Sequence, residues 1–364
     1  MKNTFGNNIS ITLFGESHGN AIGAVIDGLP AGIEVDEEFI ASQLTLRRPV
    51  GKISTPRQEE DKFTILSGCF NGKTTGTALC IVIPNENTKS KDYSATYGKA
   101  RPGHADYTAF TKYNGCEDYR GGGHFSGRVT AGIVAAGAIA IDALKKKGVY
   151  IGTHIKKCAG VSDRDFTDYE ADIKALSDKA FAVLCENAES DMKANIEKAA
   201  ADGDSVGGIL STAVIGVPAG VGEPWFDSLE GVLSHALFSI PGIKGVEFGA
   251  GFSCSDMRGS EMNDAYRIEN GEVSTETNNN GGINGGISNG MPILFNCAVK
   301  PTPSISKEQN TVDFINNENT VLSTHGRHDP CIVHRARVVV DSITAIVLCD
   351  MLSQKFGTDW LGDI

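Results

Sequence analysis

The feature that most constrains this chain is a polar, glycine-dense segment that leads directly into a long apolar one. Residues 118–128 read Asp-Tyr-Arg-Gly-Gly-Gly-His-Phe-Ser-Gly-Arg, and residues 129–144 are mainly alanine and aliphatic side chains. The apolar run is interrupted by Thr130 and Asp142 and falls short of the ~20 residues that a membrane-spanning helix needs. Its many small residues therefore predict a buried helix that packs closely against other elements.

The glycine-dense segment before that helix is typical of a loop that holds a ligand. Glycines 121–123 can adopt backbone conformations that other residues avoid, which lets a ligand approach the main chain. A helix that begins near Ser126 would point its free N–H groups at the loop, where Arg120, His124 and Arg128 add cationic donors. These features favour an anionic ligand. The alternative is a glycine turn whose arginines only cap or pair structurally.

The overall composition limits what the cationic residues can bind. The 364 residues carry a net charge of −12, which argues against general binding to nucleic acid or to anionic membranes. Nine cysteines without a Cys-x-x-Cys pair, and histidines without zinc-type spacing, predict reduced thiols and no metal site. The N-terminus lacks the apolar region of a signal peptide. We therefore expect a soluble cytoplasmic protein without a clean linker between domains.

A polar corner interrupts the first strand-like stretch of the chain. Residues 9–14 and 22–26 have strand patterns, and Gly-Glu-Ser-His-Gly at 15–19 separates them. The corner matches Gly-x-Ser-x-Gly, the nucleophile elbow of serine hydrolases, which would make Ser17 the nucleophile. That motif needs a helix directly after the serine, whereas a strand is predicted here. A serine hydrolase remains an alternative, but His18 is the better candidate for a residue that reaches a cleft.

A basic cluster follows the first predicted helix, which spans residues 36–46. Arg47 and Arg48 end this helix, and Lys52 and Arg57 follow in a loop with little apolar character. Such a cluster on an acidic protein suggests a local anion site, although exposed salt bridges would give the same pattern.

A further segment, which ends in Gly-Lys-Thr-Thr, is similar to a P-loop. It lacks the first glycine of that motif and leads into a strand instead of a helix, so we reject nucleotide triphosphate binding.

The C-terminal part supplies three more polar stretches. Residues 278–290 are rich in asparagine and glycine, a composition that also fits a disordered linker, but the embedded isoleucines and the strand predicted at 293–299 favour an ordered, ligand-gated loop. Residues 300–304, Lys-Pro-Thr-Pro-Ser, combine a cation and two hydroxyls on a stiff backbone. Residues 326–330 and 334–337 form a cationic corner with one carboxylate before a closing helix at 342–356.

Taken together, five separated loops carry Arg, Lys or His beside Gly or Pro, which predicts an active site assembled from loops on a rigid scaffold. The expected ligands carry several negative charges. His18 and His104, the latter in a second polar corner at 101–106, can exchange protons near neutral pH. Asp329 is flanked by cations, and we expect it to stay ionised and to serve as a base.

Five segments, in order along nearly the whole chain, resemble the signature segments of the chorismate synthase family. They are Gly-Glu-Ser-His-Gly at 15–19, Arg-Pro-Gly-His-Ala-Asp-Tyr at 101–107, Asp-Tyr-Arg-Gly-Gly-Gly at 118–123, Lys-Pro-Thr at 300–302 and Gly-Arg-His-Asp-Pro-Cys at 326–331. The resemblance implies a single α+β domain over 1–364, a β-α-β sandwich in which two antiparallel sheets enclose a layer of long helices. It also implies a homotetramer.

The resemblance implies a reaction as well: 1,4-anti elimination of phosphate from 5-enolpyruvylshikimate 3-phosphate to give chorismate, the last step of the shikimate pathway toward aromatic amino acids. The cofactor would be reduced FMN, without net redox change. The chain shows no added flavin reductase segment, so the resemblance is to monofunctional enzymes that depend on an external flavin reductant. The family is also associated with NADP. A flavin-binding protein without catalytic activity is a further alternative.

The resemblance assigns roles to individual residues. His18 matches a catalytic histidine near the leaving phosphate, His104 one near the flavin, and Asp329 the acid that assists deprotonation. The substrate-binding residues would be Arg47, Arg48, Lys52, Arg101, Arg128 and Arg327. The cofactor-binding residues would be His124, Phe125, Ser126, Pro241, Gly242, Gly285, Lys300, Pro301, Thr302, Pro303, Ser304 and Arg327.

Two segments depart from the pattern of many members of the family. Lys52 stands where an arginine is common, which would remove a bidentate contact. His124 and Phe125 stand where Arg-Ser is common, so contacts to the flavin would differ there. Because Gly285 matches a flavin contact, we also expect residues 278–290 to be mobile without FMN and to order over it when it binds.

Overall fold

The computed structural model describes residues 2–49, 51–55, 60–86, 97–324 and 329–362. Within these ranges the chain forms two five-stranded sheets and a layer of helices between them. The strand pairs of both sheets are antiparallel. This arrangement confirms the predicted α+β sandwich.

The N-terminal sheet follows the alternation of apolar side chains in the sequence. Ile22, Ala24 and Ile26 point into the core, and their strand is central in the order β1-β2-β3-β7-β4. A separate small hairpin joins β5 and β6. The strands are β1 Thr4–Phe5, β2 Ser10–Gly15, β3 Ala21–Asp27, β4 Thr64–Ser67, β5 Cys69–Phe70, β6 Lys73–Thr74 and β7 Leu79–Pro84.

The helices begin where the sequence offers caps or polar residues. Asp36 accepts a hydrogen bond from Phe39 N and so begins the first helix, as predicted. The α-helices are α1 Glu37–Leu46, α2 Asp106–Tyr113, α3 Thr130–Lys146, α4 Tyr169–Leu176, α5 Glu186–Ala201, α6 Leu229–Leu237, α7 Gly259–Met262 and α8 Val333–Phe356. Short 3-10 turns lie at Gly51–Ile53, Arg120–Phe125, Gly127–Val129, Gly251–Asp256 and Thr358–Leu361.

The second sheet has the order β11-β16-β10-β8-β9, and three hairpins extend from the C-terminal half. The hairpins are β12 with β13, β14 with β15, and β17 with β18. The strands are β8 Tyr150–Cys158, β9 Val161–Ser162, β10 Gly208–Ile215, β11 Ile243–Phe248, β12 Tyr266–Glu269, β13 Glu272–Thr275, β14 Ile283–Asn284, β15 Ile287–Ser288, β16 Ile293–Val299, β17 Gln309–Asp313 and β18 Glu318–Leu322.

Two long helices, α3 and α8, pack against each other between the sheets. α3 also packs on β3, and α8 packs on β8. Close approach explains two glycines of α3: a Cβ on Gly132 would lie 2.8 Å from Gly23 O, and one on Gly137 would lie 2.3 Å from Ser342 Cβ. The stretch Gly127–Lys146 is long and apolar enough to cross a membrane, but 89% of its apolar window is buried inside the fold. It is therefore the predicted close-packed core helix.

The structure corrects one prediction about the C-terminal half. The closing helix begins at Val333 instead of residue 342, so 334–337 is a helical turn and not a loop corner. Two polar side chains of this turn are buried with partners: His334 Nε2 lies 2.9 Å from Ser54 Oγ, and Arg337 Nη1 donates to Asp341 at 3.1 Å. The segment 278–290 contains the β14–β15 hairpin, which agrees with an ordered loop and not with the alternative of a disordered linker.

Candidate active site

Loops from both halves of the chain meet in a cleft of about 660 Å³. The cleft is lined by the corner after β2, the segments after α1 and β16, the residues before α2 and α3, the end of α6 and the start of α8. Its lining includes five cationic side chains and two carboxylates, which are Arg47, Arg48, Arg128, Lys300, Arg335, Asp61 and Asp329. The separate loops therefore meet in one cationic cleft, and its binding of anions stays a prediction.

The glycine loop brings the two candidate histidines together. A Cβ on Gly121 would lie 2.2 Å from His18 Cε1 and Nδ1, and one on Gly122 would lie 3.1 Å from His104 Cε1. Each of two consecutive glycines thus faces one imidazole. Both glycines have positive φ angles, +61° and +83°, so their lack of a side chain serves the backbone turn as well as the space.

The corner that carries His18 is held by the backbone of the same loop. Ser17 N donates to Gly123 O at 3.0 Å, and the side chains of Ser17 and His18 are buried. Strand β3 begins at Ala21, so no helix follows Ser17. The geometry of a nucleophile elbow is therefore absent at this described corner, which leaves His18 as its candidate functional residue.

His104 is held by a carboxylate in the same turn. Its Nδ1 lies 2.7 Å from Asp106 Oδ1, and Arg101 binds this carboxylate through Nε at 2.8 Å and Nη2 at 2.7 Å. Burial alone would raise the pKa of Asp106, but the hydrogen bonds from Arg101 and His104 hold that pKa well below its usual range. The structure therefore places the Arg101 guanidinium on Asp106.

Two predicted substrate-binding arginines share one buried carboxylate. Arg128 Nη1 donates to Asp61 Oδ1, and Arg47 Nη1 lies 3.7 Å from Asp61 Oδ2. Arg128 also donates to Asn85 Oδ1 at 3.1 Å, and Arg47 Nη2 donates to the backbone oxygen of Arg128 at 3.2 Å. These contacts fix both guanidinium groups at the wall of the cleft. Asp61 has a positive φ of 51°, a strained conformation for a residue with a side chain.

Asp329 lies near the C-terminal end of the chain and is held by two partners. One of them, Arg335, was not predicted to belong to the site. Thr55 N donates to Asp329 Oδ1 at 2.9 Å, and Arg335 Nη1 lies 2.5 Å from Asp329 Oδ2. Arg335 Nε donates in turn to Arg47 O at 2.8 Å. The carboxylate is thus oriented by one backbone N–H and one guanidinium, and the same guanidinium connects α8 to the end of α1.

The loop before α3 starts this helix as predicted. Ser126 Oγ accepts from Arg128 N at 3.3 Å and caps the short turn that precedes the helix. Phe125 and Ser126 line the cleft. His124 instead bonds the loop to β2, because its Nδ1 donates to Gly15 O at 2.8 Å. His124 therefore supports the loop, and any contact it makes with a flavin stays a prediction.

The segment after β16 contributes a row of polar groups to the cleft. Lys300 Nζ donates to Gly103 O, and Ser205 Oγ donates to Thr302 O at 2.7 Å. Thr302 Oγ1 is buried and has no hydrogen-bond partner within the described residues. A buried hydroxyl beside the cleft without a partner fits a site that a polar ligand completes. The predicted cofactor-binding residues that line the cleft are Phe125, Ser126, Pro241, Gly242, Lys300, Thr302, Pro303 and Ser304.

Two further predicted site residues, Lys52 and Gly285, lie away from the cleft in the described chain. Lys52 is exposed in the turn Gly51–Ile53, and it is not among the described residues that line the cleft. Arg48 does line it and donates to Glu60 O. Gly285 lies at the β14–β15 turn. The next residue, Gly286, accepts a hydrogen bond from Leu229 N at the start of α6, whereas the cleft lies at the end of α6. Arg327 lies outside the described residues.

The segment 278–290 is ordered by contacts within the chain. Asp264 accepts hydrogen bonds from Asn279 N at 2.7 Å and from Asn280 N at 2.8 Å. Asn278 Nδ2 donates to Pro292 O at 2.8 Å. Hydrogen bonds within the chain therefore contribute to the order of this segment, and its closure over FMN stays a prediction.

Three residues that hold the candidate catalytic and substrate-binding groups were not predicted to belong to the site: Asp61, Asp106 and Arg335. Asp106 could have been found, because a carboxylate two residues after a histidine in a glycine-proline turn can reach the ring. Asp61 gave no such signal, since Arg128 lies 67 residues away. Arg335 binds Asp329, six residues before it, but its second partner, Arg47 O, is distant in sequence. Within the described ranges, no group of three His, Cys, Asp or Glu side chains is arranged to hold a metal ion.

Comparisons with known proteins agree with the fold and the cleft. The sequence model of the chorismate synthase family matches residues 9–353. Chorismate synthase of Dehalococcoides mccartyi is 47% identical over 354 residues, covering 96% of both chains, and that of Archaeoglobus fulgidus is 47% identical over 350 residues, covering 96% of this chain and 97% of its own. A crystal structure of chorismate synthase has a TM-score of 0.77 at 28% identity and covers 97% of this chain and 94% of its own.

The sandwich fold and the loop-built cationic cleft, with the relatives it resembles, place the chain among enzymes that act on a small molecule. Its assignment to the lyases follows from the relatives. The chain belongs to the chorismate synthase family.

Proposed function

We propose that this protein catalyses the 1,4-anti elimination of phosphate from 5-enolpyruvylshikimate 3-phosphate to give chorismate, with reduced FMN as cofactor. The observation that carries the proposal is the pair of histidines that face consecutive glycines beside a cationic cleft. The substrate carries a phosphate and two carboxylates, and FMN carries a further phosphate. A pocket for both needs the excess of cationic over anionic side chains that the lining shows.

The roles of the chain's own residues follow from their positions. Arg47 and Arg128, fixed by Asp61, present positive charge to the anionic groups of the substrate. His18 donates a proton to the leaving phosphate, and Asp329 accepts the proton that leaves C6. Arg335 and Thr55 N occupy one oxygen each of Asp329 and so orient the carboxylate. Elimination needs both proton movements, because a C–O and a C–H bond break.

The residues of the cleft fit a flavin mononucleotide. Thr302 offers a buried hydroxyl that lacks a protein partner among the described residues, Ser304 and Lys300 lie in the same segment, and Phe125 offers an apolar surface. Together with Gly242, these groups would hold the cofactor. The chemistry that reduced FMN supplies is a transient loan of an electron, which explains the requirement for a reduced flavin without net redox change.

The decisive experiment is anaerobic phosphate release from 5-enolpyruvylshikimate 3-phosphate with chemically reduced FMN. We expect phosphate and chorismate in equal amounts, and no turnover with oxidised FMN. A protein that only binds flavin would bind FMN but release no phosphate, and this result would refute the proposal. Labelling of Ser17 by a fluorophosphonate would instead support a serine hydrolase.

We also propose that the chain is one domain that assembles as a homotetramer. One continuous hydrophobic core runs through both sheets, which supports the single domain. The β12–β13 hairpin exposes Tyr266, Ile268 and Val273, and the loop before α6 exposes Trp225 and Phe226, the latter by 97%. Such apolar surface is typical of subunit interfaces. Sedimentation of the wild type and of an Ile268→Glu variant tests this, because a tetramer that uses the hairpin should dissociate in the variant.

We propose further that the protein is monofunctional and cytoplasmic and that it obtains reduced FMN from an external reductant linked to NADP. All nine cysteines are free thiols, which is in keeping with a reducing compartment. The purified protein should not oxidise NADPH in the presence of FMN. Flavin reduction by the protein alone would show a second activity.

A further inference from the structure

The carboxylate of Asp106 is the centre of a small network inside the turn 101–106. Its Oδ2 accepts from Arg101 N at 3.0 Å and from Arg101 Nε at 2.8 Å. Its Oδ1 accepts from Arg101 Nη2 at 2.7 Å and lies 2.7 Å from His104 Nδ1. The four contacts use the acceptor capacity of both oxygens. The three side chains are largely buried, so the network is shielded from water.

The geometry selects one tautomer of His104. Arg101 Nη2 also lies 3.0 Å from His104 Nδ1, but a guanidinium can only donate and an ionised carboxylate can only accept. Nδ1 therefore cannot accept from Arg101 and donate to Asp106 at once. The shorter contact and the ionised state of Asp106, whose pKa is well below its usual range, favour Nδ1–H donating to the carboxylate. Asp106 is also the first residue of α2, where the helix dipole stabilises its negative charge.

We propose that Asp106 and Arg101 are positioning residues that fix His104 in the Nδ1–H tautomer and leave Nε2 to exchange a proton with a molecule in the cleft. In this arrangement Arg101 acts on Asp106 and not on the substrate. The inference rests on the proposed function, together with the position of His104 near the flavin that the family resemblance implies. His104 lines the cleft, and its Nε2 lies 3.2 Å from the position of a Cβ on Gly122. Arg101 is not among the described residues that line the cleft.

A purely structural ion pair would behave differently. Removing it would cost stability, and its effect on turnover would not depend on His104. A positioning role predicts that the effect disappears when the imidazole is absent, because nothing remains to be oriented. The replacement Asp106→Asn is nearly isosteric, but its amide can present N–H₂ to Nδ1 and so favour the opposite tautomer.

The test is a double-mutant cycle with Asp106→Asn and His104→Ala, measured as phosphate release with reduced FMN. We expect Asp106→Asn alone to lower kcat by about 10²-fold, and to lower it less than threefold further in the His104→Ala background. The matched control is Asp172→Asn. Asp172 also accepts two hydrogen bonds from one guanidinium, Nη1 and Nη2 of Arg164, but it lies away from the cleft. We expect the control to keep wild-type kcat, and thermal unfolding of each variant shows whether it is folded.

Arg101→Met separates positioning from substrate binding. A positioning role predicts a kcat lowered by about tenfold or more, with KM for the substrate within about threefold of wild type. A direct substrate contact predicts the reverse, a raised KM with little loss of kcat. The reverse result would overturn the role given to Arg101.

Nitrogen-15 spectra of the histidine rings report the tautomer without turnover. The protein has eight histidines, and His104→Ala identifies the signal of this residue. We expect Nδ1 of His104 to carry the proton in the wild type and to lose it in Asp106→Asn. An unchanged tautomer, or an Asp106→Asn effect of equal size in both backgrounds, would overturn the inference. Absence of phosphate release by the wild type would instead refute the proposed function, while the spectra would still test the tautomer.

Discussion

Replacing Gly121 by alanine should move a catalytic histidine without changing any polar group. An added Cβ at this position would lie 2.2 Å from His18 Nδ1 and Cε1 and 3.0 Å from Ser17 Oγ. Ordinary van der Waals contact begins near 3.4 Å, so the ring or the loop must move by about 1.2 Å, the difference between the two distances. The ring has little room to move away, because the His18 side chain is buried.

Two costs of the Gly121→Ala substitution can be separated. Gly121 has a φ of +61°, and an L-residue in this region costs about 1–2 kcal/mol of stability. Displacing a reacting group by about 1 Å costs on the order of 10²-fold in rate. Gly72→Ala is the matched control, because Gly72 has a φ of +71° but nothing within 4 Å of the added Cβ. We expect both variants to lose the stability that the positive φ costs, Gly121→Ala to lose about 1–3 kcal/mol more from the steric overlap, and only Gly121→Ala to lose turnover.

The assay is anaerobic phosphate release with reduced FMN at saturating substrate, and urea unfolding measures stability. The substrate KM should change less than kcat, since the arginines of the cleft keep their partners. If Gly121→Ala turned over within twofold of Gly72→Ala, the contact between the glycine loop and His18 would have no catalytic importance, and the argument would fail.

Three other substitutions test separate parts of the site. His18→Ala should lower turnover by ~10²-fold or more and leave the fold intact; near-normal turnover would remove it from the catalytic residues. Arg128→Ala should weaken substrate binding more than FMN binding in separate titrations, and should destabilise the fold by about 3 kcal/mol because its buried carboxylate partner loses a cation. Asp264→Asn should speed hydrogen exchange across 278–290 in the absence of ligand, because Asp264 accepts hydrogen bonds from Asn279 N and Asn280 N. The control Asp256→Asn, at an exposed residue, should leave this exchange unchanged. Equal exchange in both variants would show that other contacts order the segment.

The sequence was sufficient to predict which loops meet. Polar corners that contain glycine, between regular elements, identified 15–19, 101–106 and 118–128, because such corners present side chains at the edge of a scaffold. Ser126 as the start of the core helix followed from its own capping chemistry. Local rules and family resemblance both apply to these features, since each depends on residues that are neighbours in the chain.

The pairing of charges was not predictable in the same way. Asp61 meets Arg128 across 67 residues, and Arg335 meets Arg47 across 288, so no local pattern shows either contact. The start of α8 was misplaced for a related reason: the polar residues His334 and Arg337 suggested a loop, but distant partners satisfy them inside the core. Burial of a polar side chain depends on the fold that surrounds it.

These pairings explain how an acidic protein can build a cleft for anions. Of the side chains that line the cleft in the described chain, five are cationic and two are carboxylates, so three formal positive charges remain for a ligand with several negative ones. Each carboxylate lowers the net positive charge that the cleft offers to a ligand, but it also holds a guanidinium in one orientation. An unpaired arginine at the wall of a wide cleft would not keep that orientation. Because the net charge of the whole chain is −12, the protein as a whole repels anions, and their attraction depends on a local excess of cations such as that of the cleft. Loss of Asp61 should therefore increase the positive charge of the cleft and still impair catalysis, since orientation and not total charge then limits the reaction.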